Sequence, residues 1–208
     1  KLWPLPARHI DTGAGLERIC RVMQGVKSNY DTDLFTPIMQ KIADLTGQKY
    51  TASFDSQVDT AFRVIADHIR MLTATISDGV RPGNEGRGYV LRRLLRRAAR
   101  FGRQHLHMSE PFICQLVPTV AEVLGDAFPE MKRNATQVME IVRDEEAAFG
   151  RTLDRGMKLF SEAVEATRAA GSTRIGGPVA FRLYDEAGFP VDLTRQMARE
   201  NGLDVDEA

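Results

Sequence analysis

Apolar residues recur along most of the chain at steps of three and four, the spacing that lines one face of an α-helix. The first stripe, Leu16, Ile19, Cys20 and Met23, predicts a helix capped by Asp11 or Thr12 and closed by Gly25. Leu34, Phe35, Ile38, Ile42 and Leu45 predict a second, beginning near Asp31 or Thr32 and stopping at Gly47. Residues 48–56 read as polar connection. A third helix, from about Val58 to Ser77, turns Ala61, Val64, Ile65, His68, Ile69, Leu72 and Ile76 to one side and ends at Asp78-Gly79. After an irregular loop over 80–87, a fourth runs from Gly88 to about Arg100 with Leu91, Leu94, Leu95 and Ala98 inward. A fifth spans 110–124, with Pro111 in its first turn and Pro118 as a kink. The longest run, Pro129 to Ala170, carries Met131, Ala135, Val138, Val142, Phe149, Leu153, Met157, Phe160 and Val164 on one stripe. A Gly-rich turn over 171–178 leads to two short helices, about 179–187 and 191–201, divided by the Gly188-Phe189-Pro190 elbow. Residues 1–10, with two prolines, read as extended. The predicted fold is mainly α, without repeats or low-complexity tracts.

Composition adds little until it is resolved by position. At 208 residues the chain suffices for one domain with a real core, and 43% hydrophobic and 27% charged residues exclude wholesale disorder. The 28 Lys and Arg cancel the 28 Asp and Glu, so net charge names no partner, but 22 of those cations are arginine. A GC-rich genome also raises arginine, so only clustering distinguishes the two causes. Cys20 and Cys114 stand far apart, each in an apolar helical pattern, and read as buried free thiols suited to a reducing compartment. Neither stands at metal-ligand spacing with His9, His68, His105 or His107, so no zinc site is indicated. His68, on a mostly apolar face, reads as a hydrogen-bonded core residue. No apolar run of 18 residues and no signal peptide is present, and a start at Lys1 without Met suggests a piece of a longer protein.

Three constellations could carry chemistry. Asp11-Thr-Gly-Ala-Gly-Leu-Glu-Arg18 joins an extended segment to a helix through Gly13 and Gly15, with Arg18 one turn in. Glycines permit close backbone approach and a helix N-terminus attracts anions, so this could hold a phosphate. An ordinary Gly-rich helix start with a surface arginine is the alternative. Residues 81–103 hold eight Arg (81, 87, 92, 93, 96, 97, 100, 103) against one acid, Glu85. Like charges at i, i+4 weaken a helix, so an outside partner is expected. Nucleic-acid phosphates fit that role; the alternative is a face paired to carboxylates, such as Glu140, Asp144, Glu145 and Glu146 on the long helix. The third is a pair of tight bends, 82–86 and 184–190, presenting Asn84 and Asp185. Asn84 can donate and accept whereas Asp185 only accepts, and either can be simply a turn former.

Taken together these segments resemble the alanyl-tRNA synthetase family of class II aminoacyl-tRNA synthetases. The matching text is residues 11–18, Ser28-Asn-Tyr-Asp-Thr-Asp-Leu-Phe35, Arg63-Val-Ile-Ala-Asp-His-Ile-Arg70, the run Asp78 to Arg93, and Phe181-Arg-Leu-Tyr-Asp-Glu-Ala-Gly-Phe-Pro-Val-Asp-Leu193. Their order covers nearly the whole chain. The resemblance implies that residues 1–25 are the end of the catalytic domain, its third class II motif, with Gly13, Gly15 and Arg18 as ATP-binding residues. Arg18 would lie at the triphosphate, with magnesium as the nucleotide's own companion in the full-length enzyme. The resemblance also implies that 26–208 form a helical tRNA-recognition domain. Asn84 and Asp185 would read the guanine–uracil wobble pair of the alanine tRNA acceptor stem, and Arg87, Arg92, Arg93, Arg96, Arg97 and Arg100 would hold its backbone. Gly83 and Gly86 stand where many relatives carry other small or polar residues. The catalytic sheet, the editing domain and the family's zinc ligands would lie outside this chain, leaving the fragment inactive by itself. The whole protein would ligate alanine to its tRNA in the cytoplasm, with no membrane or DNA partner. A rival from another class is a non-catalytic helical RNA-binding or protein-interaction module on the same scaffold.

Overall fold

The computed structural model describes Trp3, Pro6, Ala7 and residues 12–206. The extended reading of residues 1–10 and the cap at Asp11 rest mainly on residues outside that set. Nine helices account for most of the described chain: α1 Leu16–Met23, α2 Thr36–Thr46, α3 Gln57–Ser77, α4 Gly86–His105, α5 Val117–Leu124, α6 Pro129–Arg133, α7 Ala135–Ala169, α8 Gly177–Ala187 and α9 Val191–Glu200. Short 3₁₀ turns stand at Asn29–Asp31 and Ile113–Leu116. The fold is mainly α, as the periodicity predicts.

The antiparallel hairpin of α3 and α4 is the centre. Phe62, Ile65, Ile69 and Leu72 of α3 and Leu91, Leu95 and Ala98 of α4 are buried, in the inward positions that their spacing assigns. The long α7 crosses this pair through Val138, Val142 and Phe149, then extends beyond it and collects α8 with Leu153, Phe160 and Val164. Each fully covered Leu, Ile or Phe contributes about 1.5–3 kcal/mol by leaving water.

Several boundaries depart from the periodicity. The segment 110–124 is not one helix: Glu146 of α7 accepts the backbone amides of Phe112 and Ile113, both at 3.1 Å, and Ile113–Leu116 winds as a 3₁₀ turn. Pro118 then lies in the first turn of α5, where its missing amide costs nothing, and makes no kink. The run from Pro129 breaks at Asn134, whose side-chain amide donates to the Ser77 carbonyl at 3.0 Å. Helix α4 continues past Arg100 to His105. The Gly-rich turn contains β1, Arg174–Ile175, which pairs in parallel with β2, Asp204–Val205, in register Arg174↔Asp204 and Ile175↔Val205. Two residues are too short for a periodicity to register. Both cysteines are free thiols; Cys114 is buried but Cys20 is half-buried, since α1 covers none of its residues fully. His68 is buried with Nδ1 3.2 Å from Asp67.

Candidate nucleic-acid interface

Two close approaches of backbone set the loops that present Asn84 and Asp185. The segment before α4 folds back on that helix, and the Gly83 amide donates to the Gly88 carbonyl at 2.9 Å. A Cβ on Gly88 would stand 2.6 Å from the Arg81 carbonyl oxygen, so no larger residue fits without moving the loop. Asn84 is then exposed in the bend before the first turn of α4. On the other side, Phe189 is buried against Phe149, ring centroids 5.7 Å apart. It also passes so close to Gly156 of α7 that a Cβ there would lie 2.6 Å from the ring. Thr152 ties the same turn by donating to the Ala187 carbonyl at 2.9 Å. Asp185 does not sit in the bend itself: it is exposed in the last turn of α8, and the bend begins at Gly188, φ +62°.

The arginines of α4 meet carboxylates within the protein. Arg92 and Arg96 converge on Glu145 of α7, each with a nitrogen–oxygen separation of 2.9 Å. Arg93 pairs with Asp192 at 3.1 Å and Arg103 with Asp154. Arg100 has no exposed surface and makes two 2.9 Å bonds to Glu200. That takes it out of any backbone-contacting surface: a guanidinium sealed under α9 cannot reach a phosphate. Arg97 is half-buried beside Phe101, its guanidinium carbon 5.9 Å from the ring centroid, and burial lowers its pKa, with Arg100 adding to the effect. Arg81 and Arg87 are exposed at the loop end of the helix. Of the four carboxylates that the spacing nominates on α7, Glu145 alone takes the bridging role; Asp144 pairs with Arg143, and Glu146 faces the 3₁₀ turn.

The same two arginines reach further. Arg92 Nη1 donates to Asn84 Oδ1, and Arg96 Nη1 donates to the Gly188 carbonyl. Because arginine only donates, the Asn84 atom facing it is the oxygen, and the Asn84 NH2 is the group left to face outward. Tyr89, in the first turn of α4, adds a hydrogen bond to Asp192 and lies near Tyr184; burial and Asp192 raise its phenol pKa. The structure thus ties the loop of Asn84 to the elbow that follows Asp185, about a hundred residues apart in sequence, through Arg92, Glu145, Arg96 and the Gly188 carbonyl. Glu145 and Gly156 have no motif to reveal them; the i, i+4 arginines are the only hint that an opposing carboxylate exists.

The Gly-rich segment is separate. Gly15 caps α1 through its backbone, with no side-chain cap, and Arg18 is exposed with its Cδ 3.3 Å from where a Gly15 Cβ would stand. A Cβ at Gly13 would meet nothing within 4 Å. Side-chain bonds attach α1 to the helical body: Glu17 accepts from Arg70 at 3.0 Å, and Gln24 exchanges two bonds with Asp33 at 2.6 and 3.1 Å. Among the described residues no group of three or more His, Cys, Asp or Glu could hold a metal ion, and no helix is long and apolar enough to cross a membrane.

Comparison with known proteins identifies relatives of this chain. The family model described as tRNA synthetases class II (A) matches residues 1–208. Alanine–tRNA ligases are similar over essentially the whole chain: that of Chlorobium phaeobacteroides is 53% identical over 207 residues, 100% of this chain and 23% of its own length. That of Thermotoga petrophila is 52% identical over 206 residues, and that of Geobacillus kaustophilus 48% over 205, each covering 99% of this chain and 23% of the relative. The chain therefore spans about a quarter of the length of these relatives. With the family model matching residues 1–208 and identity to these ligases near one half throughout, the chain belongs to the class II (A) family of tRNA synthetases.

Proposed function

We propose that this chain is the acceptor-stem-reading part of an alanine–tRNA ligase, acting in the cytoplasm, with residues 1–25 closing its catalytic domain and 26–208 forming its tRNA-recognition domain. The observation that supports the reading is the ionic bridge that ties the Asn84 loop to the elbow three residues beyond Asp185. A-form RNA offers a wide, shallow minor groove that side chains can enter. In a guanine–uracil wobble pair the guanine amino group lacks its Watson–Crick partner and points into that groove. Asp185, acceptor only, suits it; Asn84, its oxygen engaged by Arg92, presents an N–H donor to a neighbouring acceptor such as a base carbonyl or a ribose hydroxyl. Phosphate contacts then belong to Arg81, Arg87 and the outward edges of Arg93 and Arg97, which set register without reading sequence.

ATP with magnesium would meet Gly13, Gly15 and Arg18. The open Cβ position at Gly13, the N-terminus of the eight-residue α1 with no side-chain cap and the exposed Arg18 fit a phosphate. ATP supplies the activation of the alanine carboxyl in the whole enzyme.

The test compares transfer of alanine to acceptor stems bearing the wobble pair or a Watson–Crick pair, using a complete ligase that contains this segment. A good base contact is worth about 1–3 kcal/mol of discrimination. Asp185→Ala is therefore expected to lower the wobble preference roughly ten- to a hundredfold, and Asn84→Ala to act in the same direction but less, since water can replace an amide in an open groove. Equal proportional losses on the two stems would make both residues turn formers and support a module without base reading.

A further inference from the structure

A single carboxylate sits where the two loops are joined. Glu145 projects from α7 toward α4, and its side chain is only 12% exposed. Its Oε1 lies 2.9 Å from Arg92 Nε and 2.9 Å from Arg96 Nη2, and its Oε2 accepts from Arg92 Nη2 at 3.1 Å. Arg96 Nε adds a further bond to Oε1 at 3.1 Å. Each guanidinium thus spends one edge on Glu145 and turns the other toward a different loop, Arg92 to Asn84 Oδ1 and Arg96 to the Gly188 carbonyl. The guanidinium of Arg96 lies 5.1 Å from the centre of the Phe149 ring, one helical turn beyond Glu145, and Phe149 in turn supports Phe189 of the elbow. A planar guanidinium paired in two directions has little freedom left, so the anchor oxygens set the position of whatever the other edge holds.

We propose that Glu145 is a positioning residue for base discrimination: by clamping Arg92 and Arg96 together it fixes the Asn84 amide relative to the end of α8 that carries Asp185. The proposal rests on the base-reading role of Asn84 and Asp185. Its consequence is distinctive. Two guanidiniums held by one anion are withheld from phosphates; released, they become free cations beside an RNA groove. Loss of Glu145 should therefore weaken selectivity while strengthening unselective binding, the opposite of what a simple loss of packing does. A site loosened by about 1 Å loses the geometry that selection needs.

The experiment uses a complete ligase carrying this segment, with Glu145→Gln as a shape-preserving variant and Glu145→Asp as a second that keeps the charge on a shorter stem. Transfer rates and binding are measured on acceptor-stem duplexes with a guanine–uracil or a guanine–cytosine third pair, across a salt series, beside thermal unfolding and ATP–pyrophosphate exchange. Glu145→Gln is expected to lower the wobble preference about tenfold and to bind the guanine–cytosine stem as tightly or more tightly. The fall of affinity with salt should steepen by one to two phosphate contacts. Exchange should be unchanged, and Glu145→Asp should fall between the two. An unchanged preference in Glu145→Gln, or a proportional loss on both stems tracking a lower unfolding temperature, overturns the clamp. Asp185→Ala run in parallel separates the failures: if it keeps the wobble preference, base reading falls and the clamp with it. If it loses the preference while Glu145→Gln keeps it, only the clamp falls.

Discussion

Glu145 and Glu146 are adjacent in sequence yet take opposite roles, because successive residues on a helix point about 100° apart. Glu145 faces two arginines, whereas Glu146 faces the amides of Phe112 and Ile113 in the core, and burial outweighs those amides to push its carboxyl up to about 7. The folded chain therefore binds this proton more tightly than the unfolded chain, whose carboxyl ionises near 4.5. The resulting stability is present below pH 4.5 and is lost as pH rises through 7. A shift of this size corresponds to about 3 kcal/mol. Urea unfolding between pH 4.5 and 7 is expected to show the wild type losing about that much relative to Glu146→Gln. Parallel pH profiles for the two would contradict it.

At the scale of elements, α4 shows how an arginine-rich helix can be mostly an internal girder. Its apolar face was legible from Leu91, Leu95 and Ala98, but the fate of its charged face was not. Spacing tells which residues share a face, not whether that face meets solvent, RNA or carboxylates from α7 and α9. The two kinds of arginine should separate on substitution. Arg100→Ala removes a fully covered side chain and its pairing with Glu200. It is expected to cost about 2–3 kcal/mol of stability through the lost packing and the cavity left behind, while Glu200, 37% exposed, keeps access to water. Arg87→Ala, at an exposed position, should stay within about 0.5 kcal/mol of wild type while reducing the salt dependence of RNA binding by about one contact. Denaturation midpoints and salt-titrated binding check both; an unchanged midpoint in Arg100→Ala would return that residue to the surface.

Across the whole molecule, the described residues tie the Asn84 loop to the elbow after Asp185, whereas Gly13, Gly15 and Arg18 lie only at their edge. These three are exposed around α1, which covers none of its own residues fully. Catalysis needs several groups held in one geometry, and in the proposed nucleotide site these three would supply one corner of it. The 208-residue chain alone is therefore expected to give no ATP–pyrophosphate exchange above background, while retaining salt-sensitive binding to acceptor-stem RNA. Exchange by the purified chain would show that the nucleotide site is complete within it.

The helical class, the inward positions of α2, α3, α4 and α7, and the five segments that mark the family are properties of local spacing and residue identity, so they can be read along one dimension. Asn84, Asp185 and Arg18 could be named the same way, because the family's motifs carry them. The meeting of Asn84 with the elbow after Asp185 has no local signature. It depends on α7 passing between two segments about a hundred residues apart, on Gly88 and Gly156 admitting backbone and ring at contact distance, and on Glu145 turning toward Arg92 and Arg96. Long-range packing chooses which carboxylate an arginine finds, and with it whether that arginine faces the interior, a loop or a phosphate.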